Sequence, residues 1–238
     1  MFLPIHAAGL YGTAASGSKV SDFVVSSYTP TLSALVDSHQ PVAPQQFRLF
    51  IIADPSAGTL EELHRIQQRA GNFTALSLTQ SEATVEGVMR GMQKSSWVHF
   101  ACNCQQNLEY PLEVGLVFAA NQCLKLSDIT KMSLPHAEFA YLSANSTAKG
   151  VGDLSGEAVH LAAGMLFAGY RGVIATMWGM SDSDAPRIAD GVYAHLFKDQ
   201  QPDHTQAAHA LHYAVQRFRE ESGGKSFVSW VPFIHMGV

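Results

Sequence analysis

Two short, mostly apolar runs in the middle of the chain each end at an asparagine. The run over 97–104 reads Trp-Val-His-Phe-Ala-Cys-Asn-Cys and stops at Asn103, and the run over 138–144 stops at Asn145. Runs of this kind are typical of buried strands. In an open α/β sheet, ligands bind just beyond the carboxyl ends of the strands. We therefore expect Asn103 and Asn145 to mark the functional site.

The elements around these two runs predict an α/β fold with a mostly parallel sheet. From residue 47 onward, strand patterns alternate with helical patterns, which favours parallel strands joined by crossover helices. Strands are predicted at 47–53, 74–78, 97–104, 138–144 and 172–178, a hairpin at 113–126 and a last strand at 230–235. Helices are predicted at 59–70, 156–169, 181–197 and 203–220.

Two shorter helices and one more strand are predicted from local signals. Thr29 is expected to cap a helix whose buried face includes Leu32 and Val36. The segment 79–82, Thr-Gln-Ser-Glu, has the spacing of a capping box and predicts the start of another helix. A strand is expected at 23–28.

Composition excludes several classes of function. The 238 residues fit one large α/β domain or two small ones, and we interpret residues 1–238 as a single domain. A net charge of -5 without a cluster of Lys or Arg argues against nucleic-acid binding. The chain lacks an apolar run of about 18 residues, which predicts no membrane span. Three cysteines and a poor signal peptide favour free thiols and a cytoplasmic location.

Segments at 3–9, 98–102, 142–148, 157–186 and 230–235 carry a resemblance to a known family. Spread over nearly the whole chain, they resemble the CHAT domain, a family with a caspase-like (clan CD) fold related to separase. The similarity reads most like that of fungal members, and it implies a caspase-like three-layer α/β/α sandwich.

The resemblance implies the site of a cysteine peptidase, with both catalytic side chains replaced. The family's histidine position falls on Asn103, the glycine after it on Cys104, and the cysteine nucleophile on Asn145. A carboxamide does not titrate near neutral pH, so it cannot act as a general base, and it is a poor nucleophile. We therefore predict a catalytically inactive pseudo-peptidase that acts as a protein- or peptide-binding or regulatory module.

Two other functions stay open at this point. One is an active cysteine endopeptidase that prefers basic residues and uses an atypical nucleophile, or such an enzyme captured as a double Asn variant. Cys104 cannot pair with His99, which lies five residues back and about 16 Å away along an extended strand, so it would need a partner such as His160. The other is a purely structural domain that binds no peptide.

Acidic residues after the strand at 172–178 are candidates for binding a basic side chain, as the resemblance implies. Asp182 and Asp184 could hold an Arg in a bidentate pair. For Asp184 we favour helix capping, because Ala-Pro follows it. For Asp182 the two interpretations stay open. Asp153 lies in the Gly-rich stretch 149–156, which we interpret as a loop on the substrate side.

No cofactor and no metal are expected. His204, His209 and His212 lie on the last predicted helix without a Cys or acid to complete a metal site. His6 and His235 are interpreted as packed, hydrogen-bonded residues.

The partner is expected to be a protein or peptide, with neither nucleic acid nor membrane involved. Family members usually carry a further strand before the segment at 3–9, whereas this sequence begins at Met1. We therefore expect an open sheet edge that could pair with a partner strand or with a second copy of the chain.

Overall fold

The computed structural model describes most of the chain. The described residues are 3–11, 17–40, 46–54, 57–79, 82–105, 113–118, 121–146, 157–179, 181, 183–199, 201–223 and 227–238.

A single twisted sheet runs through the centre of the described chain. Its strands are β1 (Leu49–Ala53), β2 (Ala75–Thr79), β3 (Trp97–Gln105), β4 (Gly115–Val117), β5 (Cys123–Lys125), β6 (Phe139–Ser146), β7 (Gly172–Thr176) and β8 (Phe233–Gly237). Along the sheet the order is β2–β1–β3–β6–β7–β8. All neighbours in this order are parallel except β7 and β8, so the predicted mostly parallel α/β sheet is confirmed.

Helices cover both faces of the sheet and form the outer two layers. They are α1 (Leu32–Ser38), α2 (Ala57–Ala70), α3 (Val85–Lys94), α4 (Leu126–Ile129), α5 (Glu157–Ala168), α6 (Ala185–Leu196), α7 (Ala207–Glu221) and α8 (Phe227–Trp230). One core lies between the sheet and α3, α4 and α5. The other lies between the sheet and α2, α6 and α7. Because β1 and β7 are buried on both faces, their sequences are continuous apolar runs rather than alternating ones.

The two faces of β3 belong to different cores. Val98, Phe100 and Cys102 pack with α3 and α5, whereas Trp97 and Ala101 pack with α2 and α6. This alternation follows from the two-residue period of a strand. It decides below which side chains of β3 share the site.

Several of the local predictions near the N-terminus were wrong. Residues 23–28 form no strand, and only Tyr28 bridges to Met236 of β8. Helix α1 is capped by Thr31, whose Oγ1 accepts from the Ala34 N–H at 3.0 Å, and not by Thr29. The face that α1 exposes includes Leu32, which is 78% exposed. The apolar spacing failed here because α1 is short and lies at the periphery of the fold.

Two element boundaries also differ from the prediction. Thr79 ends β2, and α3 is capped instead by Thr84, whose Oγ1 accepts from the Gly87 N–H at 3.1 Å. Trp230 ends the short helix α8, and β8 starts only at Phe233. The other predicted strands and helices are present, with ends shifted by a few residues.

The two ends of the strand order, β8 and β2, differ in how far other residues cover them. Beside β8, Tyr28 donates its N–H to the His235 carbonyl at 2.8 Å and accepts from the Gly237 N–H at 3.0 Å. At the other edge, β2 carries two exposed residues, Leu76 and Ser77. In the described part of the chain, every helix is too short or too polar to cross a membrane.

Removing the cap of α3 tests this assignment. Thr84→Ala should lower the free energy of unfolding by about 1 kcal/mol, because the Gly87 N–H loses its acceptor. Thr84→Ser keeps the oxygen and should lose clearly less. Urea unfolding followed by circular dichroism measures both variants, and equal losses would show that Thr84 does not act through its hydroxyl.

Candidate functional site

Asn103 and Asn145 lie side by side at the carboxyl edge of the sheet. Strands β3 and β6 pair in register from Trp97–Phe139 to Cys104–Ser146, and Asn103 pairs directly with Asn145. Neighbouring strands are about 4.8 Å apart, so the two backbones are adjacent at this point. The structure thus brings together the two residues that the sequence analysis selected.

An acidic residue that the sequence analysis did not select lies against Asn103. Asn103 Nδ2 donates a 2.6 Å hydrogen bond to Asp54 Oδ2. Asp54 is the first residue after β1, and its backbone N–H donates to the Ala101 carbonyl of β3 at 2.8 Å. Burial raises the pKa of the Asp54 carboxyl above its ordinary value. The carboxylate is therefore held next to the side chain at position 103.

The hairpin β4–β5 closes the other side of β3. Strand β1 pairs with β3 only as far as Ala53–Ala101, and from Asn103 onward the neighbour on that side is β4, with Asn103 opposite Val117. Asn121, near the turn of this hairpin, has a φ of 57°. Asn tolerates this left-handed conformation better than most residues, which fits the predicted turn.

Cys104 faces away from Asn103. It is 4% exposed and packs in the core shared with α3 and α5, whereas the Asn103 side chain reaches Asp54. His99 lies on the α2 side of the sheet. His160 is exposed on α5. Cys104 and His99 are therefore on opposite faces of β3 and cannot form a catalytic pair.

A buried polar network lies beneath the site. Glu62, on α2, is 2% exposed, and its Oε2 accepts a 3.0 Å hydrogen bond from Ser143 Oγ of β6. His99 Nε2 approaches Glu62 Oε1 to 3.1 Å without the alignment of a hydrogen bond. Glu62 thus contacts Ser143 of β6, two residues before Asn145, and His99 of β3, four residues before Asn103.

Aromatic rings surround this network. Tyr193 Oη lies 3.1 Å from His99 Nδ1, and the Tyr141 ring stacks on His99 with centroids 4.7 Å apart. Burial, with a smaller contribution from Glu62, holds the pKa of Tyr141 and of Tyr193 well above the ordinary value. Both phenols therefore stay protonated over the physiological range.

Of the three acidic residues that the sequence analysis selected, the structure describes Asp184 alone. Asp153 and Asp182 lie outside the described residues. Asp184 occupies the N-cap position of α6, but its side chain makes no capping hydrogen bond. The predicted helix start is therefore present, with Pro186 in the first turn, while the predicted capping bond is not.

The other histidines considered in the sequence have structural contacts. His6 Nε2 lies 2.9 Å from the Val231 carbonyl and must donate to it, so Nδ1 accepts from Tyr28 Oη at 2.8 Å. His235 Nδ1 pairs with Ser27 Oγ at 2.8 Å, and burial lowers the pKa of His235 to about 4. Within the described ranges, no cluster of His, Cys, Asp or Glu could hold a metal ion.

This arrangement can hold hydrogen-bonding groups but offers no group at position 103 that could accept a proton. In a catalytic triad, an acid orients the histidine by accepting a hydrogen bond from its side chain. Asp54 accepts from the side chain of Asn103 in the same way. Here the oriented group is an amide, which does not titrate near neutral pH. Asp54 could have been found in the sequence, because it is a polar residue directly after the predicted strand at 47–53.

Comparison with known protein families gives a match over nearly the whole chain. The family model described as CHAT domain matches residues 2–238. No curated protein matches the sequence.

Two solved structures show the same fold. The complex of Porphyromonas gingivalis RgpB pro- and mature domains is similar with a TM-score of 0.61 at 10% identity, covering 86% of this chain and 51% of that one. A Saccharomyces cerevisiae separase–securin complex is similar with a TM-score of 0.58 at 11% identity, covering 89% of this chain and 14% of that one. The chain thus spans about half of the gingipain chain and a small part of the separase chain.

The buried network makes a prediction about stability. Glu62→Ala should lower the free energy of unfolding by about 3 kcal/mol or more, because His99 and Ser143 stay buried without the carboxylate that both contact. Glu61→Ala is the matched control, since Glu61 is 51% exposed and pairs only with Arg65 on the same helix. That change should cost less than about 1 kcal/mol. Equal losses in urea unfolding would contradict a structural role for Glu62.

Proposed function

The chain belongs to the CHAT domain family, and from this premise we propose that it is an inactive relative of the cysteine peptidases. In this proposal it holds an extended protein or peptide partner at the carboxyl edge of the sheet without cutting it. A reducing, cytoplasmic setting suits a chain with three cysteines. The outcome of binding would be regulation of the partner rather than its hydrolysis.

One observation carries the proposal. Asn103 and Asn145, which the resemblance aligns with the family's histidine and cysteine, are direct register partners, and the Asn103 amide donates to Asp54. In a worked triad, removing the nucleophile or the base costs about 10⁶ in turnover, roughly 8 kcal/mol of transition-state stabilisation. With both positions occupied by amides, the remaining rate would be negligible.

The rival function, an active enzyme with a displaced nucleophile, is disfavoured by the position of Cys104. Its side chain is buried on the face of β3 opposite Asn103. A nucleophile must reach the substrate carbonyl and a nearby base.

Asp184, at the start of the helix that follows β7, would offer an acceptor to a basic residue of the partner. This side chain is half-buried at the start of α6 and is not used for capping. Arg pairs with a carboxylate through two charge-assisted hydrogen bonds. We therefore propose that the partner segment presents Arg or Lys, which also agrees with the preference that the family resemblance implies.

Incubation with Arg-terminated fluorogenic peptides tests the absence of catalysis. We expect the purified chain to release no fluorophore, while binding an Arg-containing capped peptide more tightly than its Gln analogue. Asp184→Asn should weaken that binding about tenfold, since a charge-assisted pair is lost. Cleavage that Cys104→Ala abolishes would overturn the proposal, and failure to bind either peptide would favour a purely structural domain.

Restoring the family side chains provides the matched positive control. Asn103→His combined with Asn145→Cys should give thiol-dependent cleavage that the parent chain lacks. Adding Asp54→Asn should reduce this activity strongly, because losing the orienting carboxylate costs about 10⁴-fold in a worked triad. Asn103→His with Asn145→Ala should remain inactive. Cleavage by the parent at the level of the restored variant would contradict the proposal.

The exposed edge strand β2 supports a second mode of partner binding. Edge strands present unpaired backbone groups that can pair with another strand. We propose strand addition at β2 by a partner or a second copy of the chain. Leu76→Lys should then abolish association, measured as apparent mass by light scattering, while Phe167→Lys, on α5, should not. A parent chain that stays monomeric at high concentration would exclude self-association through β2.

A further inference from the structure

A cavity of about 320 Å³ lies between the N-terminal segment, α7 and the start of β8. Strand β7 separates β8 from β6, so this cavity is two strands away from Asn145. Cavities of this size and upward hold small ligands, usually against apolar walls with a few polar groups. Its apolar lining comes from Val24, Leu211, Val215, Trp230, Phe233 and Ile234.

Arg219 of α7 supplies a positive charge to this cavity. Its guanidinium lies 5.5 Å from the centre of the Trp230 ring, and Nη1 lies 3.4 Å from Ser21 Oγ, another lining residue. Among the described residues it forms no ion pair with a carboxylate. A half-buried Arg without an anion is a ready site for a carboxylate, which it can bind through two hydrogen bonds.

Trp230 contributes an aromatic wall to the same cavity. The side chain is 2% exposed, and its indole nitrogen has less than 1 Å² of accessible surface. A ligand in the cavity therefore contacts the ring, with the Arg219 guanidinium 5.5 Å from its centre, and not the indole N–H.

The other ionisable groups of the lining leave the charge of Arg219 uncompensated. Asp22 Oδ2 accepts from three backbone N–H groups at 3.1–3.2 Å and lies 3.6 Å from Lys19 Nζ. Burial lowers the pKa of His212, and His209 and Arg219 lower it further. Burial also lowers the pKa of His6 and, as described above, of His235, so these imidazoles are neutral at pH 7.

We propose that this cavity binds a small organic acid. Its carboxylate accepts hydrogen bonds from the Arg219 guanidinium, and its apolar body lies against Leu211, Val215 and Phe233. The site is separate from the amide pair at Asn103 and Asn145, so binding here does not depend on the peptide-binding proposal.

Titration with hydrocinnamate and its uncharged amide tests the charge requirement. We expect hydrocinnamate to bind the purified full chain with a Kd of about 1 mM or tighter by calorimetry. Hydrocinnamide has the same shape but no charge, and its Kd should be at least about tenfold higher. No binding of the acid would mean that the cavity holds water only. Equal binding of acid and amide would mean that Arg219 does not bind the carboxylate. Either result overturns the proposal.

Three variants locate the binding. Arg219→Gln should raise the Kd for hydrocinnamate at least about tenfold. Arg217→Gln, on the same helix but paired with Glu221 on the surface, should leave it unchanged. Val24→Trp adds bulk to the cavity wall from an exposed position and should also block binding. Thermal unfolding checks that each variant is folded, and if Arg219→Gln is not, Val24→Trp decides: unchanged binding in that variant overturns the proposal.

Discussion

The parallel pairing of β3 with β6 is the constraint on which the rest of the molecule depends. Eight consecutive register pairs join these two central strands, and each strand is covered on both faces. The pairing fixes the position of Asn103 beside Asn145. It also brings His99 and Ser143 to the same helix, where Glu62 contacts both. A change of register by one residue would disrupt the buried network and the edge together.

The residues that stabilise this pairing are distinct from those at the candidate site. The cores on the two faces consist of apolar side chains, and the buried carboxylate of Glu62 lies two residues below the edge. Asn103 contributes one hydrogen bond, to a half-buried acid. The side chains at this edge can therefore differ without a change in the core.

The strands of the central sheet could be predicted from the sequence, because strands buried on both faces are continuous apolar runs. The position of Asn103 and Asn145 in the sheet could also be predicted, because a polar residue at the end of such a run lies at the carboxyl edge. The same rule would have identified Asp54. It could not reveal Glu62, because a Glu on an amphipathic helix normally faces water, and only the fold shows that its turn of α2 lies over His99. At α1, exposed Leu32 and Val36 misled the periodicity argument.

The opposite orientations of Asn103 and Cys104 mean that adjacency along the chain is a poor guide to reactivity here. The sulfur atom nearest in sequence to the edge is separated from it by the thickness of the sheet. A sequence alignment shifted by one position would place Cys104 where Asn103 belongs. It would then identify a buried core residue as a nucleophile. In this architecture, whether a position is odd or even along a central strand is chemical information in its own right.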